Sequence, residues 1–136
     1  MVCRRQSWLL VCCLAGVAAC EGDSALEPTT ESLQRWVFTP HCANDGCHGS
    51  IDPASGLDLH SEESSVRFMV NIPPSVGTAA ASFPAIVRPG SPEDSFLVAK
   101  VTHPGLDHGL PMPPTDQMLT DETVDTIRAW IASMAP

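Results

Sequence analysis

Two cysteines and a histidine stand close together in residues 38–49, FTPHCANDGCHG. Cys42 and Cys47 are five positions apart, and His48 follows the second cysteine directly. Cysteine thiols can bond to the edge of a porphyrin, and an adjacent histidine can then bind the iron from one face. The usual attachment motif is Cys-x-x-Cys-His. We therefore interpret this segment as a covalent haem-attachment site whose cysteine spacing is wider than usual.

The wider spacing constrains the local backbone. Each helical residue turns by about 100°, so five residues leave the two thiols about 140° apart, and a continuous helix cannot present both to one porphyrin edge. The inserted residues 44–46 (NDG) are turn formers that tolerate unusual φ angles. We predict that Cys42 lies on a looped-out turn and that Cys47 and His48 begin a helical stretch.

A second iron ligand is expected near residues 110–114, LPMPP. Three prolines fix the backbone around Met112 and remove amide donors, which gives a stiff apolar loop that can hold a thioether sulfur. We predict Met112 as the second ligand, with His108, His103 or an open position as alternatives. The remaining candidates are interpreted as packing or surface residues: Met69, Met118, Met134, His41 and His60.

The first 19 residues have the features of a signal peptide. Arg4 and Arg5 precede an apolar run of 12 residues, 8–19, which is shorter than the roughly 20 residues that span a bilayer. Residues 17–20 (VAAC) resemble the bacterial lipobox, which implies cleavage before Cys20 and a lipid anchor on it. Cleavage near residue 19 with Cys20 as a free thiol is the alternative. By the same resemblance, Glu21 after the cysteine favours the outer membrane.

The cysteine count and the net charge argue against a disulfide-stabilised domain and against a nucleic-acid-binding protein. Of the six cysteines, three lie in the predicted signal peptide and Cys20 is the lipid site, so no disulfide framework competes for Cys42 and Cys47. After residue 19 there are 16 acidic and five basic residues, a net charge of about −11. This charge argues against nucleic acid as a partner. It is compatible with a partner protein that has a basic docking patch, although solubility alone explains it equally well.

The composition predicts three segments: a signal peptide over 1–19, a flexible tether over 20–31 and one domain over 32–136. Apolar residues at helical spacing and capping residues indicate helices in the domain, whereas residues 71–89 and 102–114 are rich in proline and glycine and indicate long loops. No strand-like alternation stands out, so the predicted class is all-α.

Four helices follow from these patterns. The first covers residues 31–38, buries Leu33, Trp36 and Val37, and ends at Pro40. The second is capped by Ser61 and buries Val66, Met69 and Val70. The third begins at Ser91 and Pro92, with Phe96, Leu97 and Val101 on one side. The last is capped by Thr120 and buries Val124, Ile127, Trp130, Ile131 and Met134.

Beyond the cysteine motif, the chain resembles small monohaem c-type cytochromes (class I-like), of the sort found as bacterial lipoproteins with a Cys-x-x-x-x-Cys-His motif. The resemblance covers about residues 32–134 and includes residues 55–59 (SGLDL), 87–92 (VRPGSP), 112–114 (MPP) and 127–131 (IRAWI). It implies a cytochrome c-like fold of three to five helices with long ordered loops, in which the last helix packs over the first. It further implies haem c on Cys42 and Cys47, with His48 as proximal and Met112 as distal ligand.

Histidine and methionine ligation raises the haem potential and leaves no open iron position. The expected function is therefore electron transfer by a lipid-anchored periplasmic protein, not catalysis. Such a carrier could act alone or as the haem domain accessory to a larger oxidoreductase. The alternatives are a non-redox lipoprotein domain with a Cys42–Cys47 disulfide, a haem enzyme or sensor, and a zinc site made of His41, Cys42, Cys47 and His48.

Overall fold

The computed structural model describes residues 25–102, 108–115 and 117–136. The predicted signal peptide, Cys20 and His103 lie outside these residues. Leu26 packs against the hydrophobic core, and the first helix begins at Thr30, inside the segment predicted as a tether.

Within the described residues the chain forms five α-helices and no sheet: α1 (Thr30–Leu33), α2 (Glu62–Met69), α3 (Ala79–Ser82), α4 (Phe96–Thr102) and α5 (Asp121–Ser133). A π-helix, Gln34–Cys42, continues α1, and two 3₁₀ turns cover Ala54–Gly56 and Pro92–Asp94. Extended pairing is limited to isolated bridges. The described part is thus mostly helical, in agreement with the predicted all-α class. None of its helices has the length and hydrophobicity needed to span a bilayer.

The first helical segment runs farther than predicted. It continues as a π-helix to Cys42 with Pro40 inside it, so the predicted end at Pro40 is wrong. In an α-helix the ring of a proline clashes with the carbonyl group four residues earlier. The wider π turn pairs groups five residues apart, as in the 2.7 Å bond from the Ala43 N–H to the Phe38 carbonyl, and this widening relieves the clash.

The π geometry also changes which side chains are buried. Leu33 and Val37 are buried as predicted, but Trp36 is 42% exposed and Phe38 is buried instead. A π-helix brings residues four and five positions apart onto one face. Val37 therefore shares its face with Cys42, which packs against the core at the end of the helix.

The second predicted helix is present, with a shifted face. The Ser61 side chain accepts a hydrogen bond from the Ser64 N–H (3.2 Å), which confirms the predicted cap. Met69 is fully buried, but Val66 is 38% exposed and Ser65 is buried in its place. The Ser65 hydroxyl donates to Gln34 Oε1 (2.7 Å), and this partner makes burial of a polar side chain possible.

The third predicted helix begins later than expected. Ser91 and Pro92 introduce only a 3₁₀ turn, and α4 starts at Phe96 because the intervening Ser95 is extended (φ −97°, ψ 123°). The buried Ser95 hydroxyl donates to the Ser91 carbonyl (2.9 Å), which stabilises this break. Phe96 and Val101 are buried as predicted, and Leu97 is half-buried.

The last helix closely follows its prediction. Thr120 caps α5 by accepting a hydrogen bond from the Thr123 N–H (3.2 Å). Trp130 joins α5 to the first helical segment: its Nε1 donates to Thr30 Oγ1 (3.1 Å), and its ring packs edge-on against Phe38 at 6.0 Å between centroids. The last helix therefore packs against the first. The predicted apolar face is buried at Val124, Ile127, Trp130 and Ile131, and Met134 packs beside it.

Candidate functional site

A cavity of about 530 Å³ lies beside the π-helix, α2 and α4. Three of the four predicted haem-site residues line it, namely Cys42, His48 and Met112, although they are far apart in sequence. Cys47 is partly buried but is not part of the lining. The rest of the wall is mainly apolar and includes Leu57, Leu59, Phe68, Ile72, Leu97 and Val101.

His48 is fixed by the chain that follows it. Its Nδ1 lies 3.1 Å from the Leu57 carbonyl oxygen, and its backbone carbonyl accepts a hydrogen bond from the Leu59 N–H (2.8 Å). A carbonyl oxygen can only accept, so Nδ1 carries the proton in this contact, and in the neutral ring the lone pair is then on Nε2. Metal-binding histidines are commonly oriented in this way by a partner on the other ring nitrogen. His48 is therefore prepared to bind a metal through Nε2.

The two cysteines occupy a short loop that is closed by backbone hydrogen bonds. The His48 N–H donates to the Cys42 carbonyl (3.0 Å), and the Cys47 N–H donates to the Asn44 carbonyl (2.9 Å). Cys42 ends the π-helix, whereas Cys47 and His48 lie in the turn. The predicted arrangement, with Cys42 looped out and Cys47 beginning a helix, is therefore wrong. The π-helix directs Cys42 towards the core. Residues 43–46 then reverse the direction of the chain, so that the His48 N–H reaches the Cys42 carbonyl.

The thiols differ in their surroundings from a thiolate metal site. Both are free in the structure. Burial, and secondarily the neighbouring Cys47, raise the pKa of the Cys42 thiol to about 11. Since metals bind the thiolate form, this environment favours an uncharged sulfur at Cys42. His41 is exposed, and the described residues contain no group of three or more histidine, cysteine or carboxylate side chains arranged for a metal ion.

Met112 reaches the cavity from a loop on the side of α4. Its N–H donates to the carbonyl of Lys100 (2.8 Å), and this bond ties the loop to the end of α4. Leu110, two residues earlier, also lines the cavity and is 71% exposed at its edge. The loop therefore places a thioether side chain in the same apolar space as His48.

The other predicted candidates have separate positions. His108 lies outside the lining, and its ring packs edge-on against Phe83 (5.5 Å between centroids) and Phe96 (6.0 Å). His60 is exposed and contacts Asp58. Met69 does contribute to the cavity wall, but it is fully buried in the core on α2. Met118 is 38% exposed and lies outside the lining.

The donor set and the lining fit a haem. The volume lies within the about 300–1,000 Å³ typical of small-molecule and cofactor pockets, which are mostly apolar with a few placed polar groups. The lining includes one thiol, one imidazole and the thioethers of Met69 and Met112, together with the Lys100 amino group and the Ser55 and Ser75 hydroxyls. A thiol, an imidazole and a thioether are the groups that attach and ligate haem c. Cys47, which immediately precedes His48 and was predicted as the second attachment residue, lies outside this lining.

One lining residue was not anticipated from the sequence. Lys100 lies on α4, whose residues are otherwise uncharged (FLVAKVT), and its side chain forms part of the cavity wall. Burial lowers its pKa. The sequence signal that could have identified Lys100 is its position as a single basic residue within an otherwise uncharged helix.

Comparison of the chain with protein-family models, with curated proteins and with solved structures gave no significant match.

Proposed function

We propose that this protein transfers electrons through a covalently bound c-type haem with His48 and Met112 as axial ligands. The observation that carries the proposal is that Cys42, His48 and Met112 line one apolar cavity although 70 positions separate the first from the last. Packing of the hydrophobic core alone does not require a thiol, an oriented imidazole and a thioether to line the same cavity.

The chain's own residues would have distinct tasks. Cys42 and Cys47 would bond to the porphyrin, and His48, oriented by the Leu57 carbonyl, would bind the iron together with Met112. When bound, the haem iron would supply one-electron redox chemistry. The apolar wall would limit the access of water, and two protein ligands would leave no open iron position for a substrate. We therefore propose a carrier, alone or as the haem domain of a larger oxidoreductase, and not an enzyme by itself.

The proposed location follows from the N-terminal sequence. The basic and apolar leader and Cys20 support export and a lipid anchor on the periplasmic side of the outer membrane. The acidic mature chain supports a redox partner with a basic docking patch.

The test is expression with the native leader in a bacterial host that matures c-type cytochromes. We expect the purified protein to retain haem staining after denaturing electrophoresis and to show a Soret band that shifts on reduction with dithionite. The Cys42→Ala/Cys47→Ala double variant should lose the stain. A colourless wild-type protein contradicts the proposal, and an intact mass lower by two hydrogens would favour the disulfide alternative instead.

A further inference from the structure

The side chain of Lys100 forms part of the cavity wall. Its Nζ donates to the His108 carbonyl (2.8 Å) and lies 5.8 Å from the centre of the Phe96 ring. Gly109 (φ +78°) packs beside it: a Cβ built there would lie only 3.3 Å from Nζ. Lys100 Nζ therefore contacts the start of the loop that carries Met112, at His108 and Gly109.

The charge of Lys100 has no carboxylate partner in the cavity wall. Among the described residues, the lining contains no aspartate or glutamate, and none of the ion pairs includes Lys100. An ammonium group has three donors, and the structure assigns one of them, to the His108 carbonyl. A partly buried cation in an apolar wall is costly unless an anion or acceptor compensates it.

The position of Lys100 contrasts with the acidic composition of the chain. The chain has 16 acidic residues and seven basic ones, yet the part of the cavity wall that the structure describes has a lysine and no acidic residue. The wall therefore suits a ligand that is mainly apolar and carries negative charge at one edge. A haem has this distribution, since two carboxylates project from one side of an apolar ring.

We propose that Lys100 binds a haem propionate and thereby positions the porphyrin in the cavity. This inference rests on the proposed function. Lys100 is a positioning residue: the Cys42 side of the cavity holds the covalently attached edge of the ring, and Lys100 holds a carboxylate at the end near Gly109. In this role it also sets part of the electrostatic potential at the iron, because a nearby positive charge favours the reduced state.

The experiment compares Lys100→Met and Lys100→Arg with wild-type haem protein. Lys100→Met keeps the length of the side chain but removes its charge, whereas Lys100→Arg retains the charge. We expect Lys100→Met to shift the reduction equilibrium towards the oxidised form about tenfold, a fall of about 59 mV for a one-electron couple. Lys100→Arg should keep a reduction potential close to that of the wild-type protein. Arg88→Gln removes an equal charge from an exposed ion pair with Asp94 and should leave the potential near the wild-type value.

A second readout separates binding from a general effect of charge. The resonance Raman propionate-bending band responds to hydrogen bonding of the carboxylate, and we expect it to move in Lys100→Met but not in Arg88→Gln. Loss of haem from Lys100→Met with retention in Lys100→Arg would also support the assignment. A haem-loaded Lys100→Met protein with unchanged potential and Raman band would overturn the Lys100 assignment alone. A wild-type protein without haem would overturn the proposed function as well.

Discussion

The two sides of the cavity are built differently. The His48 side consists of residues 42–59 and is held by several backbone hydrogen bonds, together with the buried Gln34 side chain, which donates to the Leu59 carbonyl (2.9 Å). The Met112 side consists of residues 108–115. The described hydrogen bonds that tie it to α4 are those from the Met112 N–H to the Lys100 carbonyl and from Lys100 Nζ to the His108 carbonyl.

This difference suggests which side is formed before the cofactor is bound. Segments with many internal hydrogen bonds and buried contacts open rarely, whereas exposed loops with few contacts open easily. Leu110, which lines the cavity, is 71% exposed. The His48 side is therefore the more strongly hydrogen-bonded of the two, and under the proposed function it would present its ligand in a fixed orientation.

Replacing His48 should have the largest effect, because it removes the proposed iron ligand on the more strongly hydrogen-bonded side. We expect His48→Ala to lower haem incorporation by more than about tenfold, since loss of even an outer partner of a ligand typically costs about 10–100-fold in metal affinity. The ratio of haem absorbance to protein measures this. His41→Ala is the matched control, because His41 is exposed next to Cys42 and should keep wild-type haem content. Equal loss in both variants would contradict the assignment of His48.

Replacing Met112 should leave haem attached and alter its properties. We expect Met112→Ala to lower the reduction potential by at least about 59 mV, a tenfold change in the equilibrium constant, because methionine ligation raises the potential. The reduced variant should also bind carbon monoxide at the vacated position. Met118→Ala serves as control, since Met118 lies outside the cavity. A Met112→Ala protein that keeps the wild-type potential and excludes carbon monoxide would assign the distal ligand elsewhere.

Replacing Gln34 tests the stability of the His48 side without touching a ligand. Its Oε1 accepts from Ser65 Oγ (2.7 Å) and its Nε2 donates to the Leu59 carbonyl. Gln34→Leu also removes the bond from Nε2 to Thr39 Oγ1 (3.1 Å), and it leaves the Ser65 hydroxyl and the Leu59 carbonyl buried without this partner. We therefore expect the free energy of unfolding in urea to fall by about 1–3 kcal/mol. Gln117→Leu, at an exposed position, should change it little. Equal stability of the two variants would show that the network does not stabilise this side.

Replacing Asp58 should have the smallest effect, a change in thermal stability that depends on pH. Hydrogen bonds from the His60 N–H (3.0 Å) and ring (2.7 Å) lower the pKa of the Asp58 carboxyl below its usual 3.8. A lowered pKa in the folded state stabilises the fold above the unfolded-state pKa, and this contribution disappears as the pH falls through the folded-state pKa. We expect Asp58→Asn to melt slightly below wild type at pH 7 and to match it in stronger acid. A difference independent of pH would contradict this linkage, and Asp45→Asn, in an exposed turn, should show no difference.

The sequence predicted the helices whose ends are defined locally. Ser61 and Thr120 cap α2 and α5 as expected, because capping depends on residues within one turn. The buried face of α5 also followed from its 3.6-residue period. The buried faces of the first two predicted helices were predicted incorrectly, because they depend on the helix type and on contacts with other segments. The π-helix exposes Trp36, and the contact with Gln34 buries Ser65 in place of Val66.

The site divides in the same way. Cys42, Cys47, His48 and Met112 were chosen from their chemistry and neighbouring residues, and the structure brings Cys42, His48 and Met112 into one cavity lining without Cys47. The Leu57 carbonyl and the Lys100 side chain could not be chosen in this way, since a backbone acceptor carries no sequence signature and a lone lysine is usually at the surface. The path of the chain between the cysteines was predicted incorrectly, because a π-helix has no simple sequence period.

The central claim is that a haem is covalently attached at Cys42 and Cys47. The pyridine haemochrome spectrum of the purified, periplasmically matured protein tests it most directly, because the position of its bands reports the haem type and the number of thioether bonds. We predict the spectrum of haem c with two thioether bonds. A protein that gives no haemochrome spectrum at all would contradict the account.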